Sequence, residues 1–410
     1  MPTMIVIGHR DGLDQALQRR GLDPFYIVQA PASTPKGRRF RCVADMENAQ
    51  EILRAVLSAH LDDVAGVLTV HEMGVFGAAY VRQELGLPGN TDSKATLYFR
   101  DKYLQKSKLP LQVKRARCRY VPVGTSFTDL ASDLGDVFVI KPATGAGALR
   151  TGIVRSPDEY ARAVKPFSGQ SDVEIVAESF IDASEVYIDG IWKSGDLQWS
   201  SMSRNHISPL SAVQGGVLAA HILDRKRYSS LFQQAEALAR QALTALDAPD
   251  CVFHLEAFTE DSGLTFGECA IRLPGALSPQ VNKLTFGVDL FDVEISLALG
   301  EEVTQPLDSG DPDRFYGYIL LRRPKSGKLT QSDFERHFSF DEIQYSSSPD
   351  APVGPYGRVG QAIVSDQDEL KLQRTIEEIV RFNEAGSGYP ESPGEQSPTV
   401  SAKRETPDAS

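Results

Sequence analysis

Two glutamates and an arginine in the run CVFHLEAFTEDSGLTFGECAIRLPG, residues 251–275, have types and spacing that suit a metal and phosphate site. Glu256 lies in one short apolar run and Glu268 closes a second, with the turn formers Glu260, Asp261, Ser262 and Gly263 between them. That pattern predicts two strands joined by a tight turn. Arg272 follows four residues after Glu268. Carboxylates inside apolar strands are costly unless paired or metal-bound. A hairpin that gathers the three side chains can hold Mg2+ through oxygen and face it toward a phosphate, which the guanidinium can also grip. The same residues also fit a surface hairpin with one buried ion pair.

A second constellation lies in DVFVIKPATGAGALRTGIV. A strand ends at Lys141 and Pro142 and opens into a loop with Gly145, Gly147 and Gly152. Glycines let backbone amides close on an anion, and a lysine at the loop's root holds a phosphate as a point charge. No Gly-Lys-Ser/Thr follows, and Arg150 stands where a dinucleotide fingerprint needs its third glycine, so neither motif applies. A plain glycine hairpin fits too. Lys102, beside Asp101 in a charged helical segment from 91 to 108, reads as a solvated face or a phosphate contact. In VEIVAESFIDASEVYIDGIW, Glu178 and Glu185 flank a short connector, an arrangement that suits the edge of a nucleotide pocket. His206 and His221 sit in a glycine-containing connector that can reach a substrate, although isolated histidines are more often structural.

The elements that must position these groups follow from periodicity. Short apolar strands alternate with amphipathic helices over the first ninety or so residues, which predicts an open parallel sheet. Ligands bind past the carboxyl ends of such strands, so the loops at 8–10 and 71–72 are substrate-side candidates. Residues 228–246 show apolar spacing of a core helix, and 305–384 form a further unit of strands and a helix. Beyond it the chain is rich in Pro, Ser, Gly and Glu and reads as a disordered tail. At 410 residues the chain holds several domains. Its net charge of -12 and pI near 5.2 argue against nucleic acid. No run approaches a membrane span and no signal peptide opens the chain, so a cytoplasmic location is expected. Four scattered cysteines fit reduced thiols.

Taken together, the order of parts resembles the ATP-grasp superfamily, and within it the carboxylate–amine ligases such as bacterial L-amino acid ligases. The parts are LGLPGN and then RDK, the lysine-glycine loop at Lys141, AESFIDASE, and HLE followed by GECAIRLPG. The resemblance implies an α/β fold: an N-terminal open parallel sheet domain (1–95), a two-lobed ATP-grasp domain (96–304), a small C-terminal α+β subdomain (305–384), then the tail (385–410). It implies that Lys102 and Lys141 contact ATP, that the loop from Thr144 through Gly145 and Gly147 to Gly152 covers the phosphates, that Glu178 sits at the adenine hinge and that Glu185 binds ribose. Glu256 and Glu268 would ligate Mg2+, or Mn2+, Arg272 would stabilise an acyl phosphate, and His221 would be catalytic. The family's usual I-N-P-R after the second glutamate is replaced by Cys269, Ala270, Ile271 and Arg272, which removes an asparagine ligand and favours the dipeptide-forming branch. The expected partners are small-molecule carboxylates and amines, amino acids among them, with no nucleic acid, no membrane and a homodimer as the assembly. A carboxylase-like or phosphotransferase enzyme and a nucleotide-binding module without turnover are the competing readings.

Overall fold

A computed structural model of the protein describes residues 1–29, 35–168, 173–307 and 310–386. The opening alternation of strands and helices builds a parallel sheet in the order β3–β2–β1–β4, from β1 (Thr3–Ile7), β2 (Asp23–Gln29), β3 (Arg39–Val43) and β4 (Val64–Thr69). Successive side chains of β1 point to opposite faces. Met4 and Val6 pack with Leu13, Leu17 and the helix Leu290–Leu299, while Ile5 and Ile7 pack with Ile52, Val56 and Val81. β3 escaped the sequence reading because RFRCV is an edge strand with mostly exposed side chains and no apolar alternation.

The next unit is a small antiparallel sheet, ordered β5–β8–β6–β7, from β5 (Cys118–Tyr120), β6 (Phe138–Pro142), β7 (Gly152–Val154) and β8 (Ile175–Ser179). Leu130, Leu134, Phe138, Ile140 and Val154 form its core. The segment 91–108 is two helices, Ser93–Tyr98 and Lys102–Lys108. The Asp101 side chain accepts from the Leu104 N–H and starts the second helix at Lys102.

An eight-stranded sheet forms the largest layer. Its order is β13–β12–β9–β10–β11–β14–β16–β15, with β9 (Ser184–Lys193), β10 (Asp196–Asn205), β11 (Ala219–Ile222), β12 (Cys251–Glu260), β13 (Gly263–Ala270), β14 (Phe315–Ile319), β15 (Glu342–Tyr345) and β16 (Gly360–Asp366). The strands of the segment expected to be a separate C-terminal unit therefore extend this sheet at one edge. The long helix Ser229–Ala245 buries Phe232, Ala235, Leu238 and Leu243, as its spacing predicts. The last helix, Glu369–Ala385, includes Ala385, and the tail expected from there on otherwise lies outside the described residues after Gly386. No helix among the described residues is long and apolar enough to cross a membrane.

Candidate active site

The hairpin of β12 and β13 turns at Asp261 and Ser262 and resumes pairing at Gly263, whose φ of 112° an ordinary side chain resists. In antiparallel pairing, directly opposed residues point to the same face. Three rows follow from the register of β9, β12 and β13. Tyr187 opposes Glu256, which opposes Glu268; Asp189 opposes His254, which opposes Ala270; Glu185 opposes Phe258. The two glutamates singled out from the sequence thus sit side by side on one face. A bulge between Glu256 and Ala257 leaves Gly267 as the extra residue, and a β-carbon there would come within 2.9 Å of the Glu256 carbonyl oxygen.

That face, the small sheet and the glycine loop enclose a cleft of about 400 Å³. Lys102, Lys141, Gly145, Gly147, Glu178, Glu185, Glu256, Glu268 and Arg272 all line it, as does the connector Phe180–Ala183. Lys102 Nζ lies 2.9 Å from Glu268 Oε1 and donates to the Gly145 carbonyl at 2.6 Å, which ties the hairpin to the loop. Lys141 reaches Glu178 Oε2 at 2.8 Å while Lys106 holds Oε1 at 2.7 Å. Burial pushes the Glu178 carboxyl upward, but the two ammonium groups outweigh it and hold it at about 2. Glu185 forms no ion pair among the described residues: burial first, then Glu256, pushes its carboxyl up to about 8 against the pull of His254 and Lys141, with Asn205 donating to it at 3.1 Å.

Arg272 points both Nε and Nη2 at Glu72 Oε2, at 3.1 and 2.8 Å. Glu72 follows the end of β4, and its other oxygen accepts from Arg100 at 2.8 Å. Burial opposes ionisation of Glu72, yet Arg272, Arg100 and Lys102 keep it at about 2. Arg100 also donates to the Thr144 carbonyl, so the root of the glycine loop and the reacting end of the cleft share one network. The loop itself holds Gly147, Ala148 and Arg150 at positive φ, and Tyr356 Oη would lie 3.4 Å from a β-carbon at Gly147. Thr144 thus enters through its main chain, and Gly152 opens β7.

His254 was not singled out from the sequence. Burial disfavours its charge, but Asp189 at 2.7 Å and Glu256 at 3.7 Å raise it to about 9, so an imidazolium braces the first glutamate. It stands opposite Ala270, in the row where the resemblance expects an asparagine. Tyr356 also lines the cleft, and Lys106 and Arg100 hold Glu178 and Glu72, which do; none of the three was assigned a role of its own from the sequence.

The expectation for His221 is corrected. Arg204 opposes both His221 and Val186, whereas Tyr187 opposes Ser203, so His221 projects from the face away from Glu256. There it is buried between His206, at 3.0 Å, and Glu369, at 2.9 Å, and it packs the helix Glu369–Ala385. A period of two places a strand residue on either face, and only the phase relative to its neighbours decides which.

Among the described residues no group of three or more His, Cys, Asp or Glu side chains forms a ready metal cage. Mg2+ is commonly held by one or two carboxylates with substrate phosphates completing its shell. The opposed Glu256 and Glu268, with 37% and 19% of their side chains exposed, fit that arrangement.

No family model matches the chain. Over 242 residues, 57% of this chain, it is 24% identical to an L-arginine-specific L-amino acid ligase of Bacillus subtilis, and it spans only 57% of that protein's length. The crystal structure of an L-amino acid ligase from Bacillus licheniformis is similar with a TM-score of 0.74 at 18% identity, covering 93% of this chain and 98% of that one. A carboxyaminoimidazole ribonucleotide synthase from Aspergillus clavatus complexed with ATP gives 0.71 at 15% identity, covering 93% and 99%. Likeness at such identities establishes the fold.

Proposed function

We propose that this chain, which has the ATP-grasp fold, is an ATP-dependent carboxylate–amine ligase that joins amino acids through an acyl phosphate and releases ADP and phosphate. The observation that carries the reading is the row of opposed carboxylates, Glu256 and Glu268, ringed by Lys102, Lys141 and Arg272 in one cleft. Two anions side by side beneath three cations suit a bound metal and a polyphosphate.

In this reading Lys141 and Lys102 exchange their carboxylate partners for phosphate oxygens. The connector Phe180–Ala183 meets the adenine, Glu185 takes a ribose hydroxyl, and the loop from Thr144 to Gly152 closes over the phosphates. Glu256 and Glu268 would hold Mg2+, which when bound supplies positive charge to the β- and γ-phosphates. A substrate carboxylate oxygen attacks the γ-phosphorus, the bond to the bridging oxygen breaks, and ADP departs. The neutral amine then attacks the acyl carbon, the carbon–oxygen bond to phosphate breaks, and the departing phosphate takes up the surplus amine proton. Arg272, aimed by Glu72, faces the developing charge with a rigid pair of donors. Exclusion of water by the closed loop protects the acyl phosphate.

The carboxyaminoimidazole ribonucleotide synthase shares this fold almost equally well, so fold alone does not separate amide formation from a carboxylase-like reaction. Release of ADP and phosphate should require a carboxylate and an amine together. Release sustained by bicarbonate in place of the organic carboxylate would favour the carboxylase-like reading.

A further inference from the structure

Tyr356 lines the cleft from the turn Pro355–Gly357, between β15 and β16, with φ 58° and ψ 22°. A left-handed backbone is unfavourable for an aromatic residue and persists only where its surroundings enforce it. Arg322 supplies the enforcement. Its Nη2 would lie 2.8 Å from a β-carbon at Gly357, and its Nη1 donates to the carbonyls of Ala212, at 2.9 Å, and Gly216, at 3.3 Å. Asn383 of the last helix holds the Arg322 main chain on both sides, accepting from its N–H at 2.9 Å and donating to its carbonyl at 2.8 Å. One arginine thus clamps the turn of Tyr356 to the short helix Pro209–Val213, whose first residues also line the cleft. Tyr356 packs against the core that β11, β14 and β16 share, and its hydroxyl faces the glycine loop, 3.4 Å from where a β-carbon of Gly147 would stand. That hydroxyl has no hydrogen-bond partner among the described residues. Burial first, and then Glu256, push the phenol above its usual range, so it stays a protonated donor.

We propose that Tyr356 is the stop against which the glycine loop closes, and that this contact keeps the acyl phosphate for the amine. The inference rests on the ligase reading above and adds to it a positioning residue from the strands that extend the large sheet. The root of the loop is already tied, through the Thr144 carbonyl to Arg100 and through the Gly145 carbonyl to Lys102. Tyr356 instead meets the loop at Gly147, from the large-sheet side of the cleft. When the loop closes, the phenol donates to the main chain there. Tyrosine suits the task because it joins an apolar body, which packs on the core, to a polar tip. Without the stop the loop stands ajar and water reaches the acyl carbon in place of the amine. The same carbon–oxygen bond to phosphate then breaks, and the products are the free carboxylic acid and phosphate, with ADP already released and no amide formed. A strained turn held by Arg322 serves this purpose, since the stop must stay fixed while the loop moves.

The experiment follows ADP and total peptide bond together, in the full chain supplied with ATP and pairs of amino acids. The wild type should release nearly as much peptide as ADP. Tyr356→Phe keeps the ring and its packing, and should raise the ADP released without peptide by about 2- to 10-fold, the worth of one hydrogen bond. Tyr356→Asn removes the ring with a residue that tolerates a left-handed backbone, and should raise that leak further. A rising ratio of ADP to peptide in the order wild type, Phe, Asn is the signature of a stop, because loss of folded protein lowers both products alike. A wild-type ratio in both variants, whether or not their overall rates fall, would overturn the role of Tyr356 and leave the ligase reading intact. Absence of peptide from every pair with the wild type would sink the ligase reading and the stop with it.

Discussion

Arg272 is aimed before any substrate arrives, because Glu72 engages two of its nitrogens from the far side of the cleft. Lysine in its place keeps the charge and loses the fork. Arg272→Lys should therefore bind nucleotide with an affinity close to wild type in a fluorescence titration, yet lose amide formation by a factor on the order of 100. Either Glu256→Gln or Glu268→Gln should abolish turnover with the melting temperature preserved, since both side chains face the cleft rather than the core. Substantial activity in both variants would remove the metal pair from the account. Histidines give a pH signature. His206 is pushed down to about 3, by burial first and then by His221 and Arg204, so the unfolded chain takes up its proton at 6.5 and stability falls as pH drops below that. His254 is raised to about 9, so its contribution is full below 6.5 and fades as pH rises toward 9. Compared with wild type, His206→Phe should be spared a loss of melting temperature between pH 6.5 and 4.5, and His254→Asn a loss between 6.5 and 9. At this scale the convergence of Glu256, Glu268 and Arg272 on one cleft was legible because they are close in sequence. Glu72 was legible only as a strand-end residue, since its partner Arg272 is 200 residues away.

The hairpin of β12 and β13 is the element on which the site depends, and its bulge sets where the carboxylates stand. Gly267 has no room for a methyl group against the Glu256 carbonyl, and Lys106 fixes its own carbonyl at 2.6 Å. Gly267→Ala should shift one strand against the other at a cost on the order of 1–3 kcal/mol. The expected result is a melting temperature lower by several degrees and a kcat reduced more than the KM for ATP; unchanged kcat would show that the bulge does not position the pair. The hairpin, the strand before Lys141 and the helix at 229–245 could be read in advance because each announces itself by periodicity and turn residues. β3 could not, since an exposed edge strand has no apolar face to mark it. His221 could not either, because strand phase is fixed by pairing partners distant in the chain.

Across the whole molecule, three units meet at one ion network. Arg100, the first residue beyond the helix Ser93–Tyr98 but one, holds Glu47 at 2.5 Å and Glu72 in the parallel-sheet unit and the Thr144 carbonyl in the small sheet, while Arg272 belongs to the large one. Glu72→Gln should loosen all three at once, which predicts a kcat at least about 10-fold lower, through loss of a preorganised donor, with little change in nucleotide affinity. The three sheets were legible in part because each segment carries its own strand pattern. Their docking was not, because it is made by side chains that look like ordinary surface charges in the sequence. Whether the assembled cleft forms an acyl phosphate is tested most directly by oxygen transfer. With an amino acid labelled with 18O in its carboxylate, an amine partner and ATP, the label should appear in inorganic phosphate, alongside ADP, in step with amide formation. Label in AMP with release of pyrophosphate, or amide formed with no label in phosphate, would contradict the acyl phosphate and the roles assigned to Arg272, Glu256 and Glu268.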